Sequence, residues 1–196
     1  MKSKAAAPVG ANPAGHVPKV DDDAFVHPSA QVIGNVRIGQ HVFVGPVAVI
    51  RADEPGTKGQ VRPIVIKPRS NIQDGVILHA LGGSTISIES GTSIAHGAVV
   101  HGPCKCGANC FVGFRAVVFN STLGDGVYVG AGAVVQNVRL RASAFVPPGS
   151  VIVSQEAADC LERVGKRDRQ FMQKVARTNV QTAKGYSRLR GPKAGG

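Results

Sequence analysis

From Val26 onward an aliphatic residue returns every six positions along most of this chain. The series runs Val26, Val32, Ile38, Val44, Ile50, then Ile66, Ile72, Leu78, then Ile88, Ile94, Val100, Cys106, Val112, Val118, with Cys106 the one substitute. One-residue slips carry it on to Leu123, Val129, Val135 and again to Leu140, Val146, Ile152. An amphipathic helix repeats at 3.6 residues and a half-buried strand at two, so neither explains a period of six. The period is the hexapeptide signature of a parallel β-helix, in which three short sides make one triangular coil of about 18 residues. First positions point inward, and so do the small or β-branched fifth positions, such as Ala30, Val42, Ala48, Ala98, Ala116 and Ala133.

The expected fold is therefore all-β with a C-terminal helix: about seven coils, or roughly 33 Å at a strand spacing of ~4.8 Å. Resemblance to known hexapeptide-repeat folds implies a left-handed winding, against the usual crossover rule. Residues 1–20, rich in Ala, Pro, Gly and Lys, are expected to form a flexible basic segment. Residues 21–153 make the β-helix and 154–186 two helices. The first helix has Ser154 as N-cap and reaches Arg163. The second, Lys166 to Tyr186, carries an apolar stripe of Phe171, Met172, Val175, Ala176, Asn179, Val180 and Ala183 that packs along the β-helix. Residues 187–196 are expected to be a flexible basic tail. Two insertions interrupt the repeat, after Ile50 and after Leu78, and counting in threes places both on the same side of adjacent coils. Loops stacked at one edge of a rigid scaffold are where function is placed.

The net charge of +11 belongs to the ends. Residues 1–20 hold three Lys and no acid, and residues 161–196 hold ten Lys or Arg against Glu162 and Asp168. The body between them is neutral. Without aromatic interleaving, the basic ends give no nucleic-acid signature and are left to contact an acidic protein partner. No apolar run approaches the roughly 18 residues of a membrane span, and no signal-peptide pattern is present. The expectation is a soluble, cytoplasmic protein. Cys104, Cys106 and Cys110 look like a metal knuckle by spacing alone. Their register makes Cys106 a first position and the other two fifth positions, so they are expected to be buried structural thiols; Cys160 is equally unremarked by any motif.

Three of the six histidines lie between residues 79 and 101. His79 and His101 both occupy second positions on the same side of consecutive coils, so their side chains point outward about 4.8 Å apart at the backbone. Arg51 stands in the same column one coil earlier. His96 is a third-position residue on the preceding side and diverges from the pair. It reaches the equivalent pair of a neighbouring subunit, so a three-histidine site implies a symmetric oligomer, and a three-sided prism favours a trimer. Three neutral imidazoles with an open position are the ligand set of a catalytic zinc-type centre, which lowers the pKa of bound water toward about 7. Iron and cobalt suit the same set. His16, His27 and His41 have no such placement.

Arg51-Ala52-Asp53-Glu54, Asn71-Ile72-Gln73-Asp74, His79, His96 and His101 together resemble the γ-class carbonic anhydrases over residues 25–186. The stretch from Gly113 to Asn120 and the exit Val151-Ile152-Val153-Ser154-Gln155 are most similar to the N-terminal domain of the carboxysomal members. The resemblance implies reversible hydration of CO2 to bicarbonate in a homotrimer, with a carboxysome-associated location. It implies one metal ion, Zn2+ or alternatively Fe2+ or Co2+, held by His79 and His101 of one chain and His96 of the next. It also implies an intersubunit Arg51–Asp53 ion pair, Gln73 and Asn71 as hydrogen-bonding orienters, Glu54 in proton transfer, and Asn179 approaching from the C-terminal helix. The sequence departs from the family archetype after His79, where Leu81-Gly82-Gly83-Ser84-Thr85 lacks the archetype's acidic shuttle. Two other readings stay open: a non-catalytic scaffold or bicarbonate-binding protein, and a hexapeptide acyltransferase using a single histidine base.

Overall fold

The computed structural model describes residues 9–190. Twenty-two strands of two to four residues stack into three parallel sheets, one per side of a triangular prism. Face 1 has eight strands and runs from Val9–Gly10 through Val49–Ala52, Ile77–His79 and Val99–His101 to Val151–Ile152. Face 2 has seven, from Lys19–Val20 to Arg139–Leu140, and face 3 has seven, from Phe25–Val26 to Phe145–Val146. Each strand pairs with the one a full coil away, so chemistry is organised in columns along the prism rather than along the chain.

The interior is the period of six made solid. Ile50, Ile72, Leu78, Ile94, Val100 and Val118 are fully buried, as are the corner residues Ala48, Ala98, Ala116 and Ala133. The thiols of Cys104, Cys106 and Cys110 join this core, as their register requires. Burial disfavours the thiolate, pushing the Cys110 thiol up to about 12 and that of Cys106 well above its usual range.

The ends differ from the boundaries expected at residues 21, 163 and 186. Val9–Gly10 and Lys19–Val20 already pair with Val32–Ile33 and Arg37–Ile38, so the solenoid includes residues 9–20. Two-residue strands carry little propensity, and pairing against an existing edge decides them. Between them, the buried Asn12 donates from Nδ2 to the Ala52 carbonyl at 3.1 Å and ties this segment to the coil below. Helix α1 spans only Gln155–Asp159, capped by Ser154 as expected. It stops short because Leu161 turns into the core and Arg163 returns to bridge Ala144 at the prism's end. Helix α2 spans Lys166–Arg190, so residues 187–190 are helical rather than tail. The rest of the two basic tails, residues 1–8 and 191–196, lies outside the described residues.

Helix α2 lies along face 3. Met172 packs with Ala95, Phe111 and Val164 near one end. Toward the other end Ala183 packs on Phe25 and Phe43, and the Tyr186 ring stacks on Phe25 at 4.5 Å. The stripe expected on this helix is the face that is covered, except that Phe171 remains half-exposed beside Phe111. No helix among the described residues is long and apolar enough to cross a membrane.

Candidate metal centre

The register places His79 directly between Arg51 and His101 on face 1, with Phe119 next in the column. The two imidazoles meet edge to face with centroids 5.1 Å apart, and His79 Nδ1 lies 3.2 Å from His101 Nε2. Their other ring nitrogens, His79 Nε2 and His101 Nδ1, are buried without a hydrogen-bond partner. Buried ring nitrogens without a hydrogen bond are costly, and it is the facing nitrogens, His79 Nδ1 and His101 Nε2, that are near enough to share an ion. The 3.2 Å separation is close to the ~3.3 Å between two nitrogens that share a tetrahedral ion at 2.0–2.1 Å. The pair therefore fits a borderline cation such as Zn2+.

Two carboxylates approach His79 from the strand above and its continuation. Within Val49–Ala52 and its continuation, Arg51 and Asp53 are two residues apart in extended chain and so point to one side, while Ala52 between them is buried. Arg51 Nη1 donates to Asp53 Oδ2 at 3.0 Å. The two residues expected to pair between subunits thus also meet within one chain. Asp53 Oδ1 stands 3.6 Å from His79 Nε2, and Glu54 Oε1 stands 3.3 Å from it. Burial and the Arg51 guanidinium hold the His79 imidazole below its ordinary pKa, against the smaller opposing pull of Glu54. That favours the neutral ring a metal requires. The Glu54 carboxylate is itself held from the other insertion, accepting the Gly82 backbone N–H at Oε2 (3.1 Å). The two loops touch so closely that a Cβ on Gly82 would sit 2.6 Å from the Pro55 carbonyl oxygen.

His96 stands apart, as its register predicts. It lies just past the face 3 strand Ser93–Ile94, before the corner that Gly97 turns at φ 69°. Its side chain is 53% exposed, with Nδ1 3.6 Å from Asp74 Oδ2 and its ring stacked on Phe114 at 5.7 Å. Asp74 and Phe114 are thus its neighbours from the coils above and below. Among the described residues of one chain, no three His, Cys, Asp or Glu side chains are grouped to hold a metal ion.

Asn71 and Gln73 are buried on face 3, where Gln73 Nε2 donates to Asn71 Oδ1 (2.9 Å) and Asn71 Nδ2 donates to Ser93 Oγ (2.7 Å). The column that Asn71 and Ser93 interrupt is otherwise aromatic: Phe25, Phe43, Asn71, Ser93, Phe111, Tyr128, Phe145. Stacked rings above and below frame a two-residue polar notch, over which α2 passes between Met172 and Ala183. Asn179 lies in that part of the helix, with its Nδ2 turned back to the Val175 carbonyl at 3.0 Å. The sequence reading missed Ser93, Gly82 and Phe114. Ser93 was legible, since it precedes Ile94 as Asn71 precedes Ile72; the Gly82 amide was not, because no pattern announces which loop amide meets a distant carboxylate.

No protein-family model matches the chain. It is 35% identical over 197 residues to a carbonic anhydrase of Methanosarcina thermophila, covering 89% of this chain and 77% of the relative. It is 41% identical over 176 residues to the carboxysome assembly protein CcmM of Synechocystis, covering 85% of this chain. The chain spans only 25% of the length of that larger relative. Among solved structures it is similar to a hexapeptide transferase family protein of Anaplasma phagocytophilum, at TM-score 0.77 and 25% identity, covering 92% of this chain and 98% of the other.

Proposed function

From the premise that this chain belongs to the γ-class carbonic anhydrase family, we propose that it hydrates CO2 reversibly to bicarbonate in a homotrimer. One metal ion, Zn2+ or alternatively Fe2+ or Co2+, is held at each subunit interface by His79 and His101 of one chain and His96 of the next. The observation that carries this reading is the facing histidine pair, whose near ring nitrogens, His79 Nδ1 and His101 Nε2, stand 3.2 Å apart, the separation of two ligands of one ion. When bound, the ion is a Lewis acid that lowers the pKa of coordinated water toward about 7.

The chain's own residues account for the rest of the reaction. Both amide donors of the notch are directed inward, Gln73 to Asn71 and Asn71 to Ser93. This chain of bonds fixes the Gln73 amide, and its carbonyl oxygen would accept a hydrogen bond from water or bicarbonate. Preorganised dipoles of this kind lower a barrier because they need no reorientation during the reaction. Hydration of CO2 releases one proton, and Glu54, 3.3 Å from His79 Nε2, is the carboxylate placed to take it. The Asp53 carboxylate is engaged by Arg51, and residues 81–85 carry no acid, so Glu54 acts without the second shuttle of the archetype. Turnover is expected to be slower and to depend on buffer.

The acid-free loop also favours a second reading, in which the same metal-loaded trimer binds bicarbonate without turning it over and serves in carboxysome assembly, as the name of the Synechocystis relative suggests. A CO2 hydration assay with metal analysis, using His96→Ala as control, decides between them. Activity at about one metal per interface, lost in the variant, supports catalysis. A fully metal-loaded trimer with no activity means the catalytic reading is wrong.

A further inference from the structure

Face 2 bears neither the histidine pair nor the packing stripe of α2, yet it has a pattern of its own. Its outward column reads Lys19, Arg37, Val65, Ser87, Lys105, Thr122, Arg139, each directly over the next. All four charged members are basic and exposed. Among the described residues, none of the four has a carboxylate within ion-pairing distance; the Arg51–Asp53 pair is the one formed by an arginine or lysine. The column is about 29 Å long, six steps of ~4.8 Å. Arg37, Lys105 and Arg139 lie in the otherwise neutral body of the protein, and Lys19 belongs to the basic N-terminal segment.

The cations are not spread evenly. Lys19 and Arg37 line a concavity of about 610 Å³ at one end, with Lys67 on its wall and Asp21 on its rim. Lys105 and Arg139 line a second, of about 440 Å³, at the other end. Between them stand Val65 and Ser87, and there the Ser87 hydroxyl donates to the Glu89 carboxylate at 2.7 Å. A negative charge therefore sits beside the middle of the column. Of the other acids near the face, Asp21 accepts from the backbone amide of Asp23 and Asp125 from that of Ala108, while Asp159 accepts from the Gln155 side chain.

We propose that face 2 is a docking surface for an extended acidic protein segment lying along the prism axis, with two acidic clusters and an uncharged spacer. The spacing follows from the ladder. Arg37 and Lys105 are three coils apart, about 14 Å, which an extended chain covers in roughly four residues. Glu89 at the centre repels an acid in the spacer and so fixes the register, since a repulsive element discriminates as well as an attractive one. No aromatic residue stands in the column for bases to stack on, which favours a protein segment over a single-stranded nucleic acid. The surface is independent of the metal centre on face 1.

The test uses the full chain and a fluorescein-labelled peptide in which two Glu-Asp pairs flank four Gly/Ser residues, read by anisotropy at low and moderate salt. The expected result is saturable binding weakened by salt. Arg37→Glu and Lys105→Glu should each weaken it by about tenfold or more, while Arg177→Glu on α2, with the same change in net charge, changes it less than about twofold. A peptide with an added Glu at the centre of the spacer should bind more weakly despite its greater charge. Equal losses in all three variants, tighter binding of the centrally acidic peptide, no binding at low salt, or displacement of the peptide by a ten-nucleotide single strand at lower concentration would each overturn the proposal. CO2 hydration by Arg37→Glu and Lys105→Glu is expected to match the parent chain, which keeps this result separable from the outcome for the metal centre.

Discussion

Glu54 is defined by two contacts from opposite directions, the His79 ring at 3.3 Å and the Gly82 amide at 3.1 Å. Replacing it with Ala removes the proton acceptor while leaving the histidines. Turnover of Glu54→Ala is expected to fall by about tenfold or more in weak buffer and to recover in strong buffer; stopped-flow hydration at two buffer strengths reads this, and no change in either sinks the proton-transfer role. Gly82→Ala acts on the same group indirectly. Its Cβ would meet the Pro55 carbonyl at 2.6 Å, so one loop must shift and the hold on Glu54 loosens. The variant is expected to keep its metal content, by elemental analysis, while losing turnover in weak buffer. At this scale the sequence showed which residue types were present and on which side they faced. It did not show that Arg51 and Asp53 pair within one chain, because a two-residue spacing in extended backbone is equally available to a partner subunit.

The interrupted aromatic column on face 3 makes a prediction at the scale of the sheet. Ser93→Ala leaves the buried Asn71 amide donor without its acceptor, and a loss of about 1–3 kcal/mol in stability is expected from urea unfolding. A thermal or urea midpoint unchanged from the parent would show that the notch is wet or loosely held. The core coil containing the thiols makes another, tied to pH. Cys110 has its folded pKa raised to about 12, above that of an unfolded thiol near 8.5. The native state then holds protons that the unfolded state releases, so this stabilisation is complete below about pH 8.5 and is lost as pH climbs toward 12. Unfolding midpoints should fall between pH 8 and 10, and less steeply in Cys110→Ala, once its own cavity cost is subtracted at neutral pH. The hexapeptide period disclosed these elements almost completely, because the inward positions repeat without regard to what lies outside. It failed at Val9–Gly10 and at Arg163, where the existing edges of the prism, rather than local pattern, recruit the chain into pairing.

At the scale of the whole molecule, His79 with His101 and His96 occupy different faces of one prism, and the proposed centre is completed only between chains. That has a consequence that a single-chain site cannot imitate. Mixing inactive His79→Ala with inactive His96→Ala chains, unfolded and refolded together at equal amounts, should restore about one quarter of parental hydration, since random assembly pairs an intact donor pair with an intact His96 at that frequency. No recovery in trimers shown to be mixed would place the metal within one chain. The helix that closes the fold sets a separate constraint on the molecule. Stacked coils that touch only their neighbours can fray from either end one at a time. Here α2, anchored beside Phe111 through Met172 and at Phe25 through Ala183 and Tyr186, clasps coils four levels apart. Its 25 residues span about 37 Å at 1.5 Å each. Removing one coil would leave about three helical residues overhanging, so the strap works as a gauge of length, and a shortened or lengthened prism would have to give up one of its two anchors.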